Sequence, residues 1–490
     1  MTRVSIVRGA IAAAVVLGAG ALGYLTLHRI APPAAPPSSP SSPMTDPSIA
    51  PTAAERKPTP AAQPSPESAQ GFLYGRITTV DGAVYEGRLR WGGSEEAFWS
   101  DAFNGVKVGN PWLPQVAPEQ RPRERHPIAL FGIEIAARER PSEVRRPFMA
   151  RFGELARIEA RGDEVRVTLK SGAVVDLDRF DASDFDDGVR VWDTRRGVVD
   201  LDSLRIRILE LLPTPALADV PSRLHGTVRT SQGDFTGFVA WNRADCVGSD
   251  ELAGRTAQGK LSLRFDTIRA IARRASDGAH VTLLDGRELE LSGTAEVGSG
   301  NRGIYVDDRR FGRVLVSWEA FERVDFRPPG ARGAGSDGPA GADGSDGSDG
   351  AAGADGGSGP AYGAFPAGGP LAGSVTTRDG RRLAGRLVFD LDESVTTDTL
   401  DAPSQGVDYS LPLGRIAALS EISAGAASVR VTLQDGEELQ LERAGDLGEG
   451  NAGVLIFVDG GERPEYVPWS DVEQIAFDRP PAIGPPLGAL

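Results

Sequence analysis

The sequence predicts an all-β protein: three related antiparallel modules, each a β-sandwich or small barrels, after an N-terminal transmembrane helix. Three observations support this prediction. One motif recurs three times in 490 residues, short apolar segments alternate with turn residues, and an uncharged apolar stretch lies near the N-terminus. Repetition at the scale of a domain indicates an array of one module.

Two sequence blocks define the repeat. The downstream block ends in glycine in each copy: Val167–Gly172, Val281–Gly286 and Val431–Gly436. The upstream block has three spaced glycines before an aromatic residue: Gly75, Gly82, Gly87 and Trp91; Gly226, Gly233, Gly237 and Trp241; Gly373, Gly380, Gly385 and Phe389. An Asp-Gly pair between alternating apolar stretches, such as Asp81-Gly82, predicts a β-hairpin at the start of the module.

The N-terminus carries a candidate membrane anchor. Arg3 and Arg8 precede an uncharged stretch from Gly9 to Leu27, which is about the length that a helix needs to cross a bilayer. The positive flank predicts a cytoplasmic N-terminus. We therefore expect a single-pass inner-membrane protein with its body in the periplasm or the extracellular space. Cleavage as a signal peptide near Ala31–Ala35 is the alternative.

Composition divides the chain into modules and linkers. The predicted segments are a signal anchor (1–30), a disordered Pro/Ala/Ser-rich linker (31–70), module 1 (71–212), module 2 (223–327), a Gly/Asp-rich linker (328–370), module 3 (371–478) and a disordered tail (479–490). Residues 108–148 are an insertion in module 1, either a binding element or packing. Glycine at every third position from Gly335 to Gly356 matches collagen, but a flexible acidic spacer is favoured over trimerisation, because Pro339 is the only proline there.

Strands dominate the prediction within each module. Module 2 is the most regular, with strands predicted at Gly226–Thr230, Phe235–Trp241, Lys260–Phe265, Ile268–Ala272, His280–Leu283, Glu288–Leu291, Gly303–Val306, Val314–Trp318 and Phe321–Phe326. The acidic and aromatic stretch Ser94–Gly105 of module 1 predicts a short helix that ends at the glycine.

Charge and residue usage exclude several classes of function. The net charge of −15 disfavours nucleic-acid binding, which needs a basic surface. A single cysteine, Cys246, excludes an intramolecular disulfide. The histidines do not recur at equivalent positions, and no nucleophile elbow, zincin helix or phosphate loop is present. We expect no catalytic residues, no metal, no cofactor and no enzymatic activity.

The candidate binding residues are Asp101, Asp250 and Asp398, at matching places after the first hairpin, together with Trp99. One carboxylate per module, joined by Glu95 and Glu96, has the chemistry of an oxygen-ligand cation site. The favoured alternative is that each aspartate caps a turn.

The recurring aromatic residues also have two interpretations. Trp91, Trp241 and Phe389 end the second strand of each module, and Trp318 and Trp469 begin the last hairpin. Exposed rings would form platforms for sugars, whereas buried rings fill the core. The core interpretation is favoured because the rings recur once per module at strand ends.

The upstream block and the sequence Asn301-Arg302-Gly303-Ile304 resemble an uncharacterised family of bacterial secreted or membrane-anchored β-repeat proteins of unassigned function. Module 3 departs from the pattern at Phe389 and Ala452. The resemblance implies module boundaries and no activity.

Together these features predict a non-catalytic, membrane-anchored envelope protein that binds or scaffolds, with an envelope protein or a cell-wall glycan as partner. A carbohydrate-binding or carbohydrate-active envelope protein is the alternative function. The oligomeric state is left open by the sequence.

Overall fold

The computed structural model describes residues 69–480 apart from 93–94, 122, 131–132, 142–145, 181–182, 187, 218–219, 275, 328–358, 366, 423–426, 459–460 and 462. Strands account for 54% of the structure and helices for 9%, so the all-β prediction is confirmed. The sheets are antiparallel and none closes. The predicted anchor lies outside the described residues, and within them no helix has the length and apolar character that crossing a membrane requires.

Module 1 contains twelve strands and a one-turn helix. The strands are β1 (Tyr74–Thr79), β2 (Val84–Trp91), β3 (Ala102–Val106), β4 (Arg123–Leu130), β5 (Ile133–Pro141), β6 (Pro147–Arg151), β7 (Leu155–Arg161), β8 (Glu164–Leu169), β9 (Val174–Asp178), β10 (Val189–Asp193), β11 (Gly197–Leu201) and β12 (Ile206–Leu211), with α1 (Ser183–Asp186) after β9. The eight-stranded sheet has the order β11-β10-β2-β1-β12-β7-β8-β9. β3 pairs with β6 and β4 with β5 in two further sheets.

Modules 2 and 3 repeat this order without β4, β5 and α1. Module 2 consists of β13 (His225–Thr230), β14 (Gly233–Ala240), β15 (Glu251–Thr256), β16 (Gly259–Arg264), β17 (Ile268–Arg273), β18 (Gly278–Leu283), β19 (Glu288–Ser292), β20 (Ile304–Asp308), β21 (Gly312–Val316) and β22 (Phe321–Phe326). Module 3 consists of β23 (Ala372–Thr377), β24 (Arg382–Phe389), β25 (Thr399–Ser404), β26 (Val407–Pro412), β27 (Ile416–Ser420), β28 (Ser428–Leu433), β29 (Glu438–Glu442), β30 (Val454–Val458), β31 (Glu465–Val467) and β32 (Val472–Phe477).

Short 3-10 turns connect many of these strands. They lie at Leu113–Gln115, Phe152–Glu154, Ser203–Arg205, Phe265–Thr267, Ala295–Val297, Tyr362–Ala364, Leu413–Arg415, Gly445–Leu447 and Trp469–Asp471.

The sequence prediction missed strands β3, β4, β5 and β6 of module 1 and strand β15 of module 2. In module 1 the expected helix over Ser94–Gly105 is wrong, because residues 102–105 belong to β3 and pair with β6. In module 2 the missed strand is β15, which pairs with β16. We call the antiparallel pair β3/β6, β15/β16 or β25/β26 the side hairpin of its module.

The third repeated glycine of each module lies where two strands approach closely. A Cβ atom on Gly87 would lie 2.0 Å from the carbonyl oxygen of Trp192 on β10. The equivalent distances in modules 2 and 3 are 1.8 Å from Gly237 to Asp307 and 2.1 Å from Gly385 to Phe457. Only glycine lets the second strand of each module approach its neighbour this closely.

The side hairpin of module 3 also pairs with a strand of module 2. In module 2, β15 pairs with β19 of the same module. In module 3, β25 likewise lies against β29 of the same module. β26 pairs in addition with β21 of module 2, and the result is one twelve-stranded sheet that contains strands of both modules. The buried cores of modules 2 and 3 are continuous, while module 1 has its own core.

Candidate functional site

The three candidate aspartates hold the backbone of equivalent loops. Each carboxylate accepts hydrogen bonds from two amides that lie three to five residues upstream: Asp101 from Glu96 and Ala97 at 2.7 and 2.8 Å, Asp250 from Cys246 and Val247 at 2.9 and 3.1 Å, and Asp398 from Ser394 and Val395 at 2.7 and 3.0 Å. A carboxylate that accepts two amides fixes the turn in place. This geometry is the one that the capping interpretation predicts.

Two of these aspartates also bind the neighbouring module, and they do so reciprocally. Arg90 of module 1 donates to both carboxylate oxygens of Asp250 in module 2, at 3.2 Å each. Arg223 of module 2 donates to Asp101 of module 1 at 3.3 Å and to the hydroxyl of Ser100. We call this pair of contacts the arginine clasp. The Arg223 side chain is 0% exposed, so the clasp lies in the interior of the junction.

Glu96 completes the clasp on the side of module 1. Its carboxylate lies 2.9 Å from Arg88 and 3.1 Å from Arg90. Burial raises the pKa of Glu96, and the nearby guanidinium groups oppose that rise. Cys246 is fully buried beside the clasp, where burial raises the pKa of its thiol well above the usual value. A thiol held in this state is a packing group, since reactivity requires the thiolate.

The insertion of module 1 contacts module 3. Lys107 lies just before the predicted insertion (108–148), and its Nζ is 2.7 Å from Asp392. Asn110 donates to the carbonyl oxygen of Leu391 at 3.2 Å. Val116 is buried in a cluster formed with apolar residues of module 3: Val388, Leu391, Ala452, Leu455 and Phe457. Val116, with Trp112 and Leu113 beside it, therefore packs the described part of the insertion against module 3.

Several buried carboxyl groups lie on the module 3 side of this junction. Burial raises the pKa of Asp390 to about 8 and that of Asp446 to about 7. Burial also raises the pKa of Glu393 well above its usual value, and the charge of Asp392 adds to this effect. Among the described residues, no group of His, Cys, Asp and Glu side chains has the arrangement that would hold a metal ion.

Trp99 lies where the three modules meet. Its ring is 5.7 Å from that of Phe365, and the Arg151 guanidinium lies 4.7 Å from the centre of the Trp99 ring. Trp99 lines a small cavity with residues of all three modules, including Asp307 and Thr399. The space open to water-sized molecules is about 30 Å³, which accommodates about two waters and not a sugar ring.

The recurring aromatic residues are core residues. Trp91, Trp241 and Phe389 are buried, and so are Trp318 and Trp469. Their rings pack edge to face, for example Trp241 against Trp318 at 6.2 Å and Phe389 against Trp469 at 5.9 Å. The sugar platform that the alternative function assigns to these rings is therefore not available.

The end of the Gly/Asp-rich segment contacts module 1. Phe365 is buried in the core of module 1, and a Cβ on Gly153 would lie 2.5 Å from its ring. Tyr362 donates to the carbonyl oxygen of Leu155 at 2.7 Å, and Lys170 donates to the carbonyl oxygen of Tyr362 at 2.6 Å. The segment predicted as a linker over 328–370 thus includes residues that pack in module 1. Residues 328–358, which hold the collagen-like spacing, lie outside the described residues.

The sequence prediction missed the basic partners at the junctions: Arg90, Arg223 and Lys107, together with Arg146, which lies 3.4 Å from Asp392. A signal for Arg223 was present in the repeat. Phe72 and Pro370 occupy the same bridging position in modules 1 and 3. A cation that replaces an apolar residue at a repeated, paired position indicates a partner from outside the module.

Comparison of the chain with family models, curated proteins and solved structures finds no match, and the resemblance to an envelope family stays a prediction.

Proposed function

We propose that this chain is a non-catalytic scaffold of the bacterial envelope that acts by presenting one rigid, three-module β body to partners. The observation that supports this proposal most is the use of the candidate polar residues. Asp101, Asp250, Arg90 and Arg223 are engaged with each other across a junction. These side chains fix the modules relative to each other. A scaffold depends on such a fixed arrangement of its binding surfaces.

A second support is the mutual contact of all three modules. Module 1 contacts module 2 through the arginine clasp and module 3 through Lys107. Modules 2 and 3 share a sheet. Because each module is fixed by both of the others, their outer surfaces keep constant relative positions. Constant spacing favours binding of an extended or multivalent partner, such as an envelope protein or a cell-wall glycan.

The location and the finer fold are part of the same proposal. Residues 1–30 are proposed to span the inner membrane once, with residues 31–70 as a spacer and the body outside the cytoplasm. Each module is proposed to be a small open barrel, because its side hairpin and its main sheet contribute to one core, as Leu252 and Val281 do in module 2.

A reporter fusion tests the location. Alkaline phosphatase joined to the C-terminus is expected to be active in cells, since it folds only outside the cytoplasm, while a fusion that lacks residues 1–30 is expected to be inactive. Activity in both fusions, or in neither, would contradict the proposed topology.

Affinity capture from solubilised envelopes tests the scaffold. The chain is used as bait beside an Arg223→Ala, Asp250→Ala variant in which the clasp is broken. We expect a partner that the intact body retains and the variant releases, since presentation depends on the relation between modules. Equal retention of the partner by a variant shown to have a loosened junction would contradict the scaffold proposal. Turnover of a substrate by the purified chain would show instead that the protein is an enzyme. No observation favours the carbohydrate-binding or carbohydrate-active alternative, because the recurring aromatic residues that would stack on a sugar are buried.

A further inference from the structure

The pairing between modules 2 and 3 joins two elements that each module possesses. The acceptor is the strand before the last in module 2, β21, and the donor is the outer strand of the module 3 side hairpin, β26. Their register aligns Arg313 with Ser410, Val314 with Tyr409, Leu315 with Asp408 and Val316 with Val407. The contact is an addition of one strand to the edge of another sheet, which main-chain hydrogen bonds stabilise.

Equivalent elements at the other junction are unpaired with each other. β11 of module 1 corresponds to β21, and it ends the sheet of module 1. β16 of module 2 corresponds to β26, and it ends the twelve-stranded sheet. Modules 1 and 2 meet through the arginine clasp instead, and the β11 edge and the β16 edge stay unpaired.

The strand pairs fix how the two edges would align. Within module 1 Val199 faces Val191, as Val314 faces Val306 in module 2. Within module 2 Leu261 faces Gly254, as Tyr409 faces Ala402 in module 3. The register of the existing junction, transferred to these strands, aligns Val198 with Ser262, Val199 with Leu261, Asp200 with Lys260 and Leu201 with Gly259.

The side chains in this alignment are complementary. Asp200 already accepts hydrogen bonds from Arg190 on β10, at 2.7 and 3.1 Å. In this alignment it would also lie opposite Lys260, and an opposite-charge pair facing across two strands is favourable. Val199 would lie opposite Leu261, both half-buried, at the positions where Val314 and Tyr409 are buried in the existing junction. The alignment therefore covers apolar surface that is now partly exposed to solvent.

The acceptor edge is also open. Val198 is 58% exposed and the Asp200 side chain 68% exposed. Gly197 corresponds to Gly312, where a Cβ would lie 2.8 Å from Pro412 of the docked hairpin; at Gly197 no atom lies within 4 Å of that position. By contrast, the third such strand, β31, has only three residues between Pro464 and Pro468, and prolines and short length protect an edge from pairing.

We infer that β16 of one copy of this chain pairs with β11 of a second copy, in the register that opposes Lys260 and Asp200. The inference rests on the existing β21–β26 junction and on the charge match, and it adds the partner's identity to the proposed scaffold. Each copy supplies β16 as the donor and β11 as the acceptor, so the contact closes into a ring or extends into a chain of copies.

Disulfide trapping tests the contact in membranes. Two differently tagged full-length copies are co-expressed, one with Val198→Cys and the other with Ser262→Cys, both with Cys246→Ser. Opposed residues of antiparallel strands lie about 4.5–5.5 Å apart at Cα, within the reach of a disulfide. We expect a crosslinked species that contains both tags. The off-register pair Val198→Cys with Arg264→Cys serves as the control, and absent or equal crosslinking of the two pairs would overturn the inference.

A charge exchange gives a second measurement, by sedimentation of the detergent-solubilised full chain. Lys260→Glu alone and Asp200→Lys alone are each expected to weaken self-association at least tenfold, and the double variant to restore it. Lys260 is exposed, so Lys260→Glu should leave the melting temperature unchanged. Asp200→Lys also removes the exposed ion pair with Arg190, which should lower stability by less than about 1 kcal/mol, and its melting temperature reports on folding. Association that neither single variant alters would reject this register. If association is lost while the chain still reaches the envelope and captures its partner, the scaffold proposal stands without self-association.

Discussion

The junction between modules 1 and 2 and the junction between modules 2 and 3 connect modules of the same fold. The main interactions differ between the two junctions. Modules 2 and 3 are joined by backbone pairing of β21 with β26 and by a continuous apolar core. Modules 1 and 2 are joined by ion pairs of Arg223 and Arg90 and by a small apolar cluster that includes Phe72 and Val247. One repeated fold thus supports two interfaces, because a few side chains differ between copies.

The difference teaches which positions set specificity. Strand pairing uses main-chain groups that every module has, so by itself it does not distinguish one module from another. A buried cation has a strict requirement, since it must meet a carboxylate in the right place. The arginine clasp therefore selects module 2 as the neighbour of module 1, while the shared sheet contributes area and rigidity.

Breaking the clasp should have the largest effect. Arg223→Ala leaves the Asp101 carboxylate buried without its cation, and we expect the free energy of unfolding to fall by about 3–5 kcal/mol. Denaturant unfolding followed by tryptophan fluorescence measures the loss. The double variant Arg223→Met, Asp101→Asn should recover most of it, because no buried charge is then unpaired. A single-variant loss below about 1 kcal/mol would show that the junction does not depend on this ion pair.

Removing an aromatic residue from the shared sheet should have the next largest effect. Tyr409 packs edge to face on Phe235 and Phe311 of module 2, at 6.0 and 5.7 Å. Tyr409→Ala is expected to destabilise the chain by about 3 kcal/mol through a cavity at the junction. Leu261→Ala, at the equivalent position on the unpaired side hairpin, is the matched control and should cost less than half as much. Equal losses in thermal unfolding would contradict the role assigned to the β21–β26 pairing.

The junction between modules 1 and 3 should respond to pH. An acid whose folded pKa is raised is protonated in the folded state and ionised in the unfolded state, so folding binds a proton. Stability from such a group is complete below its unfolded pKa and is lost as pH rises through its folded pKa. For Asp390, with a pKa raised by burial to about 8, the loss between pH 6 and 8 is about 2 kcal/mol.

Melting temperatures of the chain and of Asp390→Asn across this pH range measure the effect. Asparagine keeps an oxygen for the Ala452 amide, which Asp390 now accepts, and it does not titrate. The variant should therefore have a flatter dependence of melting temperature on pH. Parallel curves would show that Asp390 does not ionise in this range, and a steeper curve for the variant would reverse the sign of the argument.

The smallest effect should come from a turn cap outside the clasp. Asp398→Ala deprives the amides of Ser394 and Val395 of their acceptor, and loss of such a cap costs about 1 kcal/mol. Asp398→Asn retains one oxygen and should cost less. The same two substitutions at Asp250, which also binds Arg90, should cost more. If Asp250→Ala and Asp398→Ala are equally destabilising, the clasp adds nothing to the cap.

Many strands and core residues of each module were predictable from the sequence, because they depend on the order of apolar, polar and turn residues along a short stretch of chain. Glycines at Gly87, Gly237 and Gly385 mark close strand approaches, and alternation of apolar residues marks the strands that cover the core. Burial of the recurring aromatic residues was expected because they recur once per module at strand ends. The side hairpins were harder: the Glu251–Thr256 segment has Gly254 and a single large apolar residue, Leu252, so its alternation is weak.

The junctions were not predictable from local pattern. Modules 2 and 3 both have a side hairpin that packs in its own module, and no local pattern indicates that only the module 3 hairpin also pairs with a neighbour. That choice depends on contacts distant in sequence, such as Tyr409 with Phe235. Similarly, Phe365 lies beside a segment whose composition indicates a spacer, and the fit to Gly153 becomes apparent only in three dimensions.

The anchoring of Phe365 in module 1 has a consequence for how the chain tolerates a cut. The polypeptide leaves module 2 at Arg327, and when it is next described, at Gly359, it contacts module 2, then inserts an aromatic ring into module 1 before it enters module 3. Cleavage between residues 328 and 358 would yield two fragments that share a sheet, an apolar cluster and this ring contact. Such fragments should co-purify and melt together, as a two-chain protein does.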